Sequence, residues 1–138
     1  MDQITLIVKA IPENESFVRS TIAAYAVRKN PDIQIINDIK TAVSEAVTNS
    51  IVHAYNDDKE KEIHINARLS DDSLIISVID FGIGIADIEK MTSGLFTSKP
   101  ELEHSGLGFT IMRAFMDELE IASDENVGTT ITMTKRLI

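Results

Sequence analysis

The sequence contains no cysteine, no tryptophan and no long apolar run. Without cysteine, the chain has no disulfide, no thiolate nucleophile and no cysteine-ligated zinc site, and this composition fits a reducing compartment. A transmembrane helix needs about 18 or more consecutive apolar residues, and residues 1–15 hold too short an apolar run for a signal peptide. We therefore expect a cytoplasmic protein that neither spans nor binds a membrane.

Basic residues are also few: the chain has 13 Lys and Arg against 22 Asp and Glu, for a net charge of −9. An acidic chain repels phosphate backbones, so direct binding to nucleic acid is not expected. A bound nucleotide is compatible with this charge, because a magnesium ion and a few local donors offset the phosphates. The 138 residues, 43% of them hydrophobic, predict one domain with one core, spanning residues 1–138.

Several nucleotide-binding and catalytic signatures are missing as well. The chain has no GxxxxGK motif followed by Ser or Thr, which excludes a P-loop protein, and no GxSxG motif, which argues against a serine hydrolase. It has two G-x-G pairs, but Asp87 and Ile111 occupy the third glycine positions of a dinucleotide-binding fingerprint. Neither pair is therefore a Rossmann motif.

Hydrophobic periodicity predicts an α+β domain. Apolar residues with alternating or helical spacing are bounded by Pro, Gly, Asn or Asp. The predicted elements are a strand at Ile4–Ile11, a helix from Asn14 or Ser16 to about Lys29, a helix from about Asp32 to about Tyr55, strands at Ile63–Leu69 and Leu74–Ile79, a short helical piece at Asp87–Met91, a helix at Phe109–Phe115, and strands at Leu119–Ala122 and Thr129–Lys135. Residues 92–108 lack periodicity, and a loop of that length commonly binds a ligand or acts as a lid. Helices packed on a sheet of this kind give a two-layer sandwich.

The end of the second predicted helix carries a column of polar side chains. Glu45, Asn49 and His53 recur every four residues and so lie on one face of the helix. A carboxylate there can take a proton or orient a water, and an amide oxygen can ligate a hard cation such as Mg²⁺. The alternative is a solvated helix face, since exposed polar residues are the norm on amphipathic helices. His53, with no second ligand at suitable spacing, is expected to pack at the helix end.

The two glycine pairs stand where backbone can approach a ligand closely. Gly82-x-Gly84 follows a predicted buried strand that ends in Asp80, whose carboxylate could accept a hydrogen bond from an exocyclic amine. Gly106-x-Gly108 is predicted to form the turn that opens a helix, where free N–H groups and the positive end of the helix dipole favour phosphate. The alternative is that these glycines only form turns.

Taken in chain order, these motifs resemble the ATP-binding set of the GHKL superfamily, which includes gyrase, the histidine kinases and MutL. The set comprises Glu45-x-x-x-Asn49, Asp80-x-Gly82-x-Gly84, Gly106-x-Gly108 and Gly128-Thr129-Thr130. The resemblance covers nearly the whole chain and implies a Bergerat-type ATP-binding fold, with a mixed, mostly antiparallel sheet covered on one face by helices. The segments VSEAVTNSIVHAY, LFTSKPELEHSGLGFTIMRAFMDELE and VGTTITMTKRL narrow the resemblance to the anti-sigma serine kinases of spore-forming bacteria.

This resemblance implies a role for each matching position. Glu45 would be the general base that activates a serine hydroxyl, and Asn49 would hold Mg²⁺ between the nucleotide phosphates. Asp80 would accept the adenine amine, helped through water by one of two threonines. The further nucleotide contacts that the resemblance implies are Gly82, Gly84, Gly106, Gly108, Thr129 and Thr130.

The implied lid runs from Thr97 to Gly108, includes Ser98 and Lys99, and would close over the phosphates. His104 lies in this lid where related kinases carry an arginine that touches the terminal phosphate. Histidine is shorter, and its charge depends on pH near neutrality. The chain therefore departs from the family pattern at the γ-phosphate, where Lys99 could compensate in part.

The function that the resemblance implies is that of an ATP-dependent protein serine kinase that is also an anti-sigma factor. Such a protein binds the sporulation sigma factor F and phosphorylates a serine of an anti-anti-sigma protein, with ATP, ADP and Mg²⁺ as its cofactors. A homodimer is implied, with Arg19 of the first helix as an anchor for partners, although Arg19 could equally be solvated.

Three alternatives to this function remain at this stage. The first is a detached ATP domain of a histidine kinase, disfavoured because no helical hairpin with a phosphoacceptor histidine precedes the domain. The second is a nucleotide-sensing anti-sigma module with weak or no kinase activity. The third is a related kinase that controls a stress-response sigma factor.

Overall fold

The structure, a computed structural model, describes residues 2–89 and 104–138, with backbone alone at 104–106. The predicted helical piece at Asp87–Met91 lies partly outside these ranges, and the implied lid residues Thr97, Ser98 and Lys99 lie wholly outside them. The described elements are β1 (Asp2–Lys9), α1 (Pro12–Val27), α2 (Ile33–Thr48) continued by a π-helical segment (Asn49–Ala54), β2 (Glu62–Leu69), β3 (Ser73–Asp80), α3 (His104–Phe115), β4 (Glu118–Asp124) and β5 (Gly128–Arg136).

The five described strands form one sheet in the order β1-β2-β3-β5-β4. All four pairings between them are antiparallel, where the sequence predicted a mixed, mostly antiparallel sheet. Helices α1, α2 and α3 pack together against this sheet and share one core with it. The predicted α+β two-layer sandwich is therefore confirmed.

Side chains of β3 alternate between the core and the opposite face of the sheet, as a strand with one covered face requires. Leu74, Ile76 and Val78 are buried, whereas Ile75 and Ile79 are half-buried. The same alternation places Asp80 at the end of the buried row. A carboxylate at that position lies at the rim of the core.

Helix α2 is the central helix and packs between α1 and α3. Its buried residues follow helical spacing and are Ile36, Ile39, Ala42, Val43, Ala46 and Val47. From α3, Phe109 and Met112 are fully buried against this core. Because each large apolar side chain contributes about 1.5–3 kcal/mol when buried, the helix that carries Glu45 is held firmly in place.

Helix α1 begins before the predicted caps. Pro12 occupies its first turn and Ile11 precedes it without a side-chain cap, because the fixed φ of proline suits the first helical position. Asn14 donates a hydrogen bond from Nδ2 to the carbonyl oxygen of Lys9 instead of capping the helix. The predicted start at Asn14 or Ser16 is therefore wrong.

The pair Gly106-x-Gly108 does not form the predicted turn. Both glycines lie inside α3, which the structure describes from His104 onward. A glycine inside a helix costs about 1 kcal/mol relative to alanine, but at Gly108 a Cβ would come within 3.1 Å of Glu45 Oε1. Close packing of α3 on α2 therefore accounts for a glycine where the sequence indicated a helix start.

A mostly buried ion pair joins the helices to the sheet. Lys135 Nζ on β5 lies 3.0 Å from Asp38 Oδ2 on α2 and donates to the carbonyl oxygen of Phe115 at 2.6 Å. The two side chains are 12% and 16% exposed. Burial would raise the pKa of Asp38, but hydrogen bonds from Gln34 and Lys135 and the charge of Lys135 outweigh it, so the pKa is lowered.

Replacing Asp38 with asparagine should lower the free energy of unfolding by about 1–3 kcal/mol at neutral pH, because Lys135 loses its anionic acceptor. The lowered pKa means that this stabilisation is present above the unfolded value of about 3.9 and is lost as the pH falls through the folded value. Urea unfolding of both proteins from pH 7 to pH 3 measures this. Asp71→Asn removes an equal charge at a fully exposed pair with Lys29, and equal losses in the two variants would contradict the expectation.

Candidate functional site

The α-helix α2 ends in a π-helical segment that lies under the site. The Asn49 N–H donates to the carbonyl oxygen of Glu45 as in an α-helix, so these two residues are one turn apart, as the spacing predicted. Beyond Asn49 the segment widens, and Tyr55 N donates to the carbonyl oxygen of Ser50, five residues back. Asn49, Ser50 and His53 are all buried. Single-turn π-helices occur frequently at functional sites.

The carboxylate of Asp80 is buried at the end of β3, with 2% of the residue exposed. Its Oδ1 accepts hydrogen bonds from the backbone N–H of Gly82 at 3.0 Å and of Thr129 at 3.2 Å. Its Oδ2 accepts only from Ser50 Oγ among the described residues, at 3.4 Å. One oxygen is thus held by backbone, and the second keeps acceptor capacity for a ligand.

Burial raises the pKa of Asp80, and the hydrogen bonds from Gly82, Thr129 and Ser50 oppose that rise without cancelling it. The carboxylate therefore carries a desolvation penalty in the folded protein. Residues with such a penalty, placed at the rim of a cavity, are candidates for ligand recognition.

The segment after Asp80 packs backbone to backbone on its neighbours. Ile83 N donates to the carbonyl oxygen of Ala54 at 3.1 Å, and a Cβ on Gly82 would lie 2.3 Å from that same oxygen. Gly84 has φ +72°, and a Cβ there would lie 2.2 Å from the carbonyl oxygen of Asp124. No other residue type fits either position without a shift of backbone.

These elements enclose one small cavity. Its lining residues are Asn49, His53, Ala54, Ile83, Gly84, Ile85 and Thr129. The structure therefore brings together Asn49, Gly84 and Thr129, which lie far apart in the chain. His53 is buried as expected for a residue packed at the helix end, but it also faces this cavity.

The two threonines of the Gly128-Thr129-Thr130 motif do not share a face of the sheet. Thr129 is buried on the side of Asp80, its direct partner in the β3–β5 register. Thr130 pairs with Ile79, which points to the opposite face. Of the two threonines predicted to help Asp80, Thr129 therefore lies on its side of the sheet and Thr130 on the other, because successive side chains of a strand alternate. Which of the two contacts adenine stays a prediction.

Glu45 lies one helical turn before the cavity-lining residue Asn49, between α3 and a groove on the surface of α2. Gly108 of α3 borders Glu45 Oε1. The groove is lined by Arg19, Asn37, Lys40, Thr41, Ser44 and Glu45. Arg19 Nη1 donates to Ser44 Oγ at 3.2 Å and to Glu15 Oε1 at 3.2 Å. Arg19 therefore borders the same groove as the candidate base, a proximity that their separation in the chain did not predict.

The remaining predicted residues are placed only in part. Gly106 lies in the first described turn of α3, and the side chain of His104 lies outside the described part. His64 lies on β2, where Nε2 is 3.4 Å from Glu62 Oε1 and the ring contacts Phe81 edge-on. Sequence reasoning missed Ser50, Tyr55, Ala54, Ile83 and Ile85 as residues of the site. Each of them is close in sequence to the polar column that ends at His53 or to the pair Gly82-x-Gly84, and that closeness is the signal that could have found them.

The sequence matches the histidine kinase-like ATPase domain family over residues 8–135. An anti-sigma F factor of Clostridium perfringens (strain SM101 / Type A) is 50% identical over 125 residues, covering 91% of this chain and 89% of the relative. The anti-sigma F factor of Bacillus subtilis (strain 168) is 46% identical over 128 residues, covering 93% and 88%. The chain belongs to the anti-sigma F factor family of histidine kinase-like ATPase domains. Membership in an ATPase domain family implies that it binds ATP or ADP.

Two solved structures have a fold similar to that of this chain. The RsbU and RsbW domains of a Mycobacterium tuberculosis protein superpose with a TM-score of 0.69 at 24% identity, covering 99% of this chain and 32% of that one. A chain of the SiaB–SiaC complex of Pseudomonas aeruginosa gives a TM-score of 0.69 at 13% identity, covering 95% and 88%. Within residues 2–89 and 104–138, no helix combines the length and apolar character needed to cross a bilayer.

Replacing Asp80 with asparagine should weaken ADP binding about 10- to 100-fold while leaving the protein equally or more stable at pH 7. An amide puts a donor where the ligand needs an acceptor, and hydrogen bonds to charged groups are worth about 1.5–3 kcal/mol. Because the folded pKa of Asp80 is raised, the folded protein loses stability as the pH rises through the unfolded value of about 3.9 towards the folded one. The Asp80→Asn variant has no carboxyl group that titrates at this position, so it does not lose stability in this pH range.

Calorimetry with ADP and urea unfolding between pH 3 and pH 7 test both halves of this expectation. Asp71→Asn, at an exposed position, is the charge-matched control. An Asp80→Asn protein that is clearly less stable than the parent at pH 7 would show that the carboxylate is a net stabiliser and not a group kept for binding.

Proposed function

We propose that this protein is an ATP-dependent protein serine kinase and anti-sigma factor. It binds and inhibits the sporulation sigma factor F, and it inactivates an anti-anti-sigma protein by phosphorylating a serine. The observation that carries the proposal is a buried acceptor carboxylate at Asp80 that is bonded to Thr129, which lines one cavity together with the buried amide of Asn49. The carboxylate of Glu45 lies one helical turn before Asn49. Relatives named anti-sigma F factor, up to 50% identical, support it.

Asp80 is the adenine-recognition residue in this proposal. Its Oδ1 already accepts two backbone hydrogen bonds, so the carboxylate is held in one orientation. Its Oδ2 accepts the exocyclic amine of adenine, alongside the hydroxyl of Ser50. A guanine base would present a carbonyl oxygen at this point, which a carboxylate repels.

The side-chain amide of Asn49 is a suitable ligand for the Mg²⁺ that accompanies ATP. Its buried amide lines the cavity, and an amide oxygen is a hard ligand of the kind that Mg²⁺ prefers. The described residues contain no cluster of three His, Cys, Asp or Glu that could hold a metal without help. Mg²⁺ is usually bound through one or two protein ligands together with substrate phosphates and waters, so Asn49 would hold the ion jointly with the nucleotide. The bound ion would neutralise phosphate charge.

Glu45 acts as the general base. The carboxylate takes the proton of the substrate serine hydroxyl, and the serine oxygen bonds to the γ-phosphorus. The bond from that phosphorus to the bridging oxygen breaks, and ADP leaves with the electron pair. Phosphoryl transfer of this kind depends mainly on positioning and charge stabilisation. The packing of Glu45 between Gly108 and the α2 groove supplies the positioning.

The α2 groove also provides a place for protein partners. It combines the cationic side chains of Arg19 and Lys40 with the base Glu45, on a chain whose net charge is −9. We propose Arg19 as the anchor for the sigma factor and the anti-anti-sigma protein. A homodimer and a cytoplasmic location complete the proposal.

Replacing Glu45 with glutamine should preserve ATP binding and slow phosphoryl transfer by about 10²- to 10⁴-fold, the usual effect of losing a general base. Labelled ATP and a purified anti-anti-sigma protein, in single-turnover conditions, measure the transfer rate. Glu13→Gln, at an exposed position of α1, is the matched control. A Glu45→Gln rate within threefold of the parent would remove Glu45 from this role. A parent that binds ATP and sigma F without transferring phosphate would favour a nucleotide-sensing module instead.

Replacing Asn49 with alanine should weaken Mg²⁺-dependent ATP binding at least about tenfold, because the amide oxygen is the protein's ligand to the ion. Binding in the presence of a chelator should be unchanged. Calorimetry with and without Mg²⁺ measures the difference, and Asn37→Ala, an exposed amide on the same helix, is the control. Equal losses with and without Mg²⁺ would mean that Asn49 shapes the cavity and does not ligate the metal.

A further inference from the structure

Tyr55 lies at the point where the hydrogen-bond ladder between β2 and β3 ends. It directly follows the π-helical segment, and its side chain is buried. Its hydroxyl accepts a hydrogen bond from Phe81 N at 2.7 Å and donates one to the carbonyl oxygen of Glu62 at 2.5 Å. One phenol therefore contacts both strands at once.

The register shows what this hydroxyl replaces. The β2–β3 ladder ends with the pair His64↔Ile79, and the same register continued by two residues places Phe81 opposite Glu62. Directly opposed residues of an antiparallel pair exchange N–H···O=C bonds at every second position. The Tyr55 hydroxyl is inserted between the N–H and the C=O that would otherwise form the next bond. It holds the two strands apart at this end of the ladder.

The Tyr55 hydroxyl holds the peptide unit that joins Asp80 to Phe81. It comprises the carbonyl of Asp80 and the N–H of Phe81. Its N–H donates to Tyr55, and its oxygen faces Gly128, where a Cβ would lie only 2.2 Å away. The peptide is therefore contacted on both sides, and the backbone from which the buried Asp80 carboxylate projects is fixed with it.

We propose that Tyr55 is a positioning residue for adenine recognition, acting through the Asp80–Phe81 peptide. The inference rests on the proposed ATP site. Without the hydroxyl, Phe81 N–H either closes directly onto Glu62 or loses its hydrogen-bond partner, so the peptide is no longer held where it lies. Either outcome shifts the Asp80 carboxylate relative to the adenine ring of the bound nucleotide. The rest of the cavity, formed by the π-helical segment and residues 83–85, keeps its own contacts.

The two tyrosines of the chain make a matched pair for the test. Tyr55→Phe removes the bridging hydroxyl. Tyr25→Phe removes a hydroxyl from an equally buried ring on α1, beside Asp2 and Arg28 and away from the cavity. Both variants lose one oxygen atom from a buried ring, and only Tyr55→Phe removes the bridge between β2 and β3.

The measurement is the affinity of parent and variants for ADP and for inosine diphosphate, which lacks the exocyclic amine. In the parent, ADP should bind more tightly. In Tyr55→Phe, we expect ADP to bind about tenfold more weakly and inosine diphosphate to stay within twofold, so that discrimination between the two collapses. Tyr25→Phe should keep the discrimination of the parent.

The outcomes separate this inference from the proposed function. If the parent fails to bind ADP, the proposed function is overturned, and this inference with it. If the parent discriminates and Tyr55→Phe retains the same ratio of affinities, only the positioning role is overturned. A parallel loss of both affinities in Tyr55→Phe would assign Tyr55 to the general fold and also overturn the positioning role.

A second measurement avoids any dependence on the stability of Tyr55→Phe. In the Tyr25→Phe chain, Tyr55 is the sole tyrosine, so biosynthetic incorporation of 3-fluorotyrosine labels it alone. Its fluorine resonance should shift when ADP is added and shift less with inosine diphosphate. A resonance that responds equally to the two nucleotides would contradict a link between Tyr55 and recognition of the amine.

Discussion

The arrangement of the site depends on one constraint, the burial of the Asp80 carboxylate at the rim of the core. A carboxylate taken out of water must be hydrogen-bonded, and three groups from three parts of the chain meet that need: Gly82, Thr129 and Ser50. These bonds draw together the end of β3, the start of β5 and the end of α2. The same bonds leave one oxygen able to accept from a ligand, so the interactions that hold the site together also orient its recognition group.

Close backbone contacts hold the remaining walls of the cavity. Gly82 packs on the Ala54 carbonyl and Gly84 on the Asp124 carbonyl at distances that exclude a side chain. Ala54 is the last residue of the π-helical segment, so its carbonyl has no partner within the helix and is available to accept from Ile83 N. The widened helix end and the glycine pair therefore form one structural unit.

The proposed base and the proposed partner anchor are linked by packing on α2. Ser44 and Glu45 are neighbours in the chain, and Ser44 accepts a hydrogen bond from Arg19, so one groove contains the cation from α1 and the carboxylate from α2. A partner that binds Arg19 would place its own chain beside Glu45. Inhibition by binding and phosphorylation by ATP would then share one surface.

Local sequence determined a large part of this protein. Alternating and helical spacing of apolar residues predicted the α+β class and most elements, because burial of one face imposes those periods on any chain. The four-residue spacing of Glu45 and Asn49 placed them one helical turn apart, since that distance is internal to a helix. The order of the polar and glycine motifs was enough to indicate the family, because each motif is short and contiguous.

Tertiary structure alone decided where these pieces meet. Nothing local to Gly106 and Gly108 showed that they lie inside α3, because at Gly108 the close neighbour is Glu45 on α2, which is distant in the chain. The face of Thr130 depended on the register between β3 and β5. In the sequence Tyr55 marked only the end of the second predicted helix, since its hydroxyl bridges two strands that approach it only in the folded chain. Interactions between distant segments have no period in the sequence, and for that reason the site could be named from the sequence but its geometry could not.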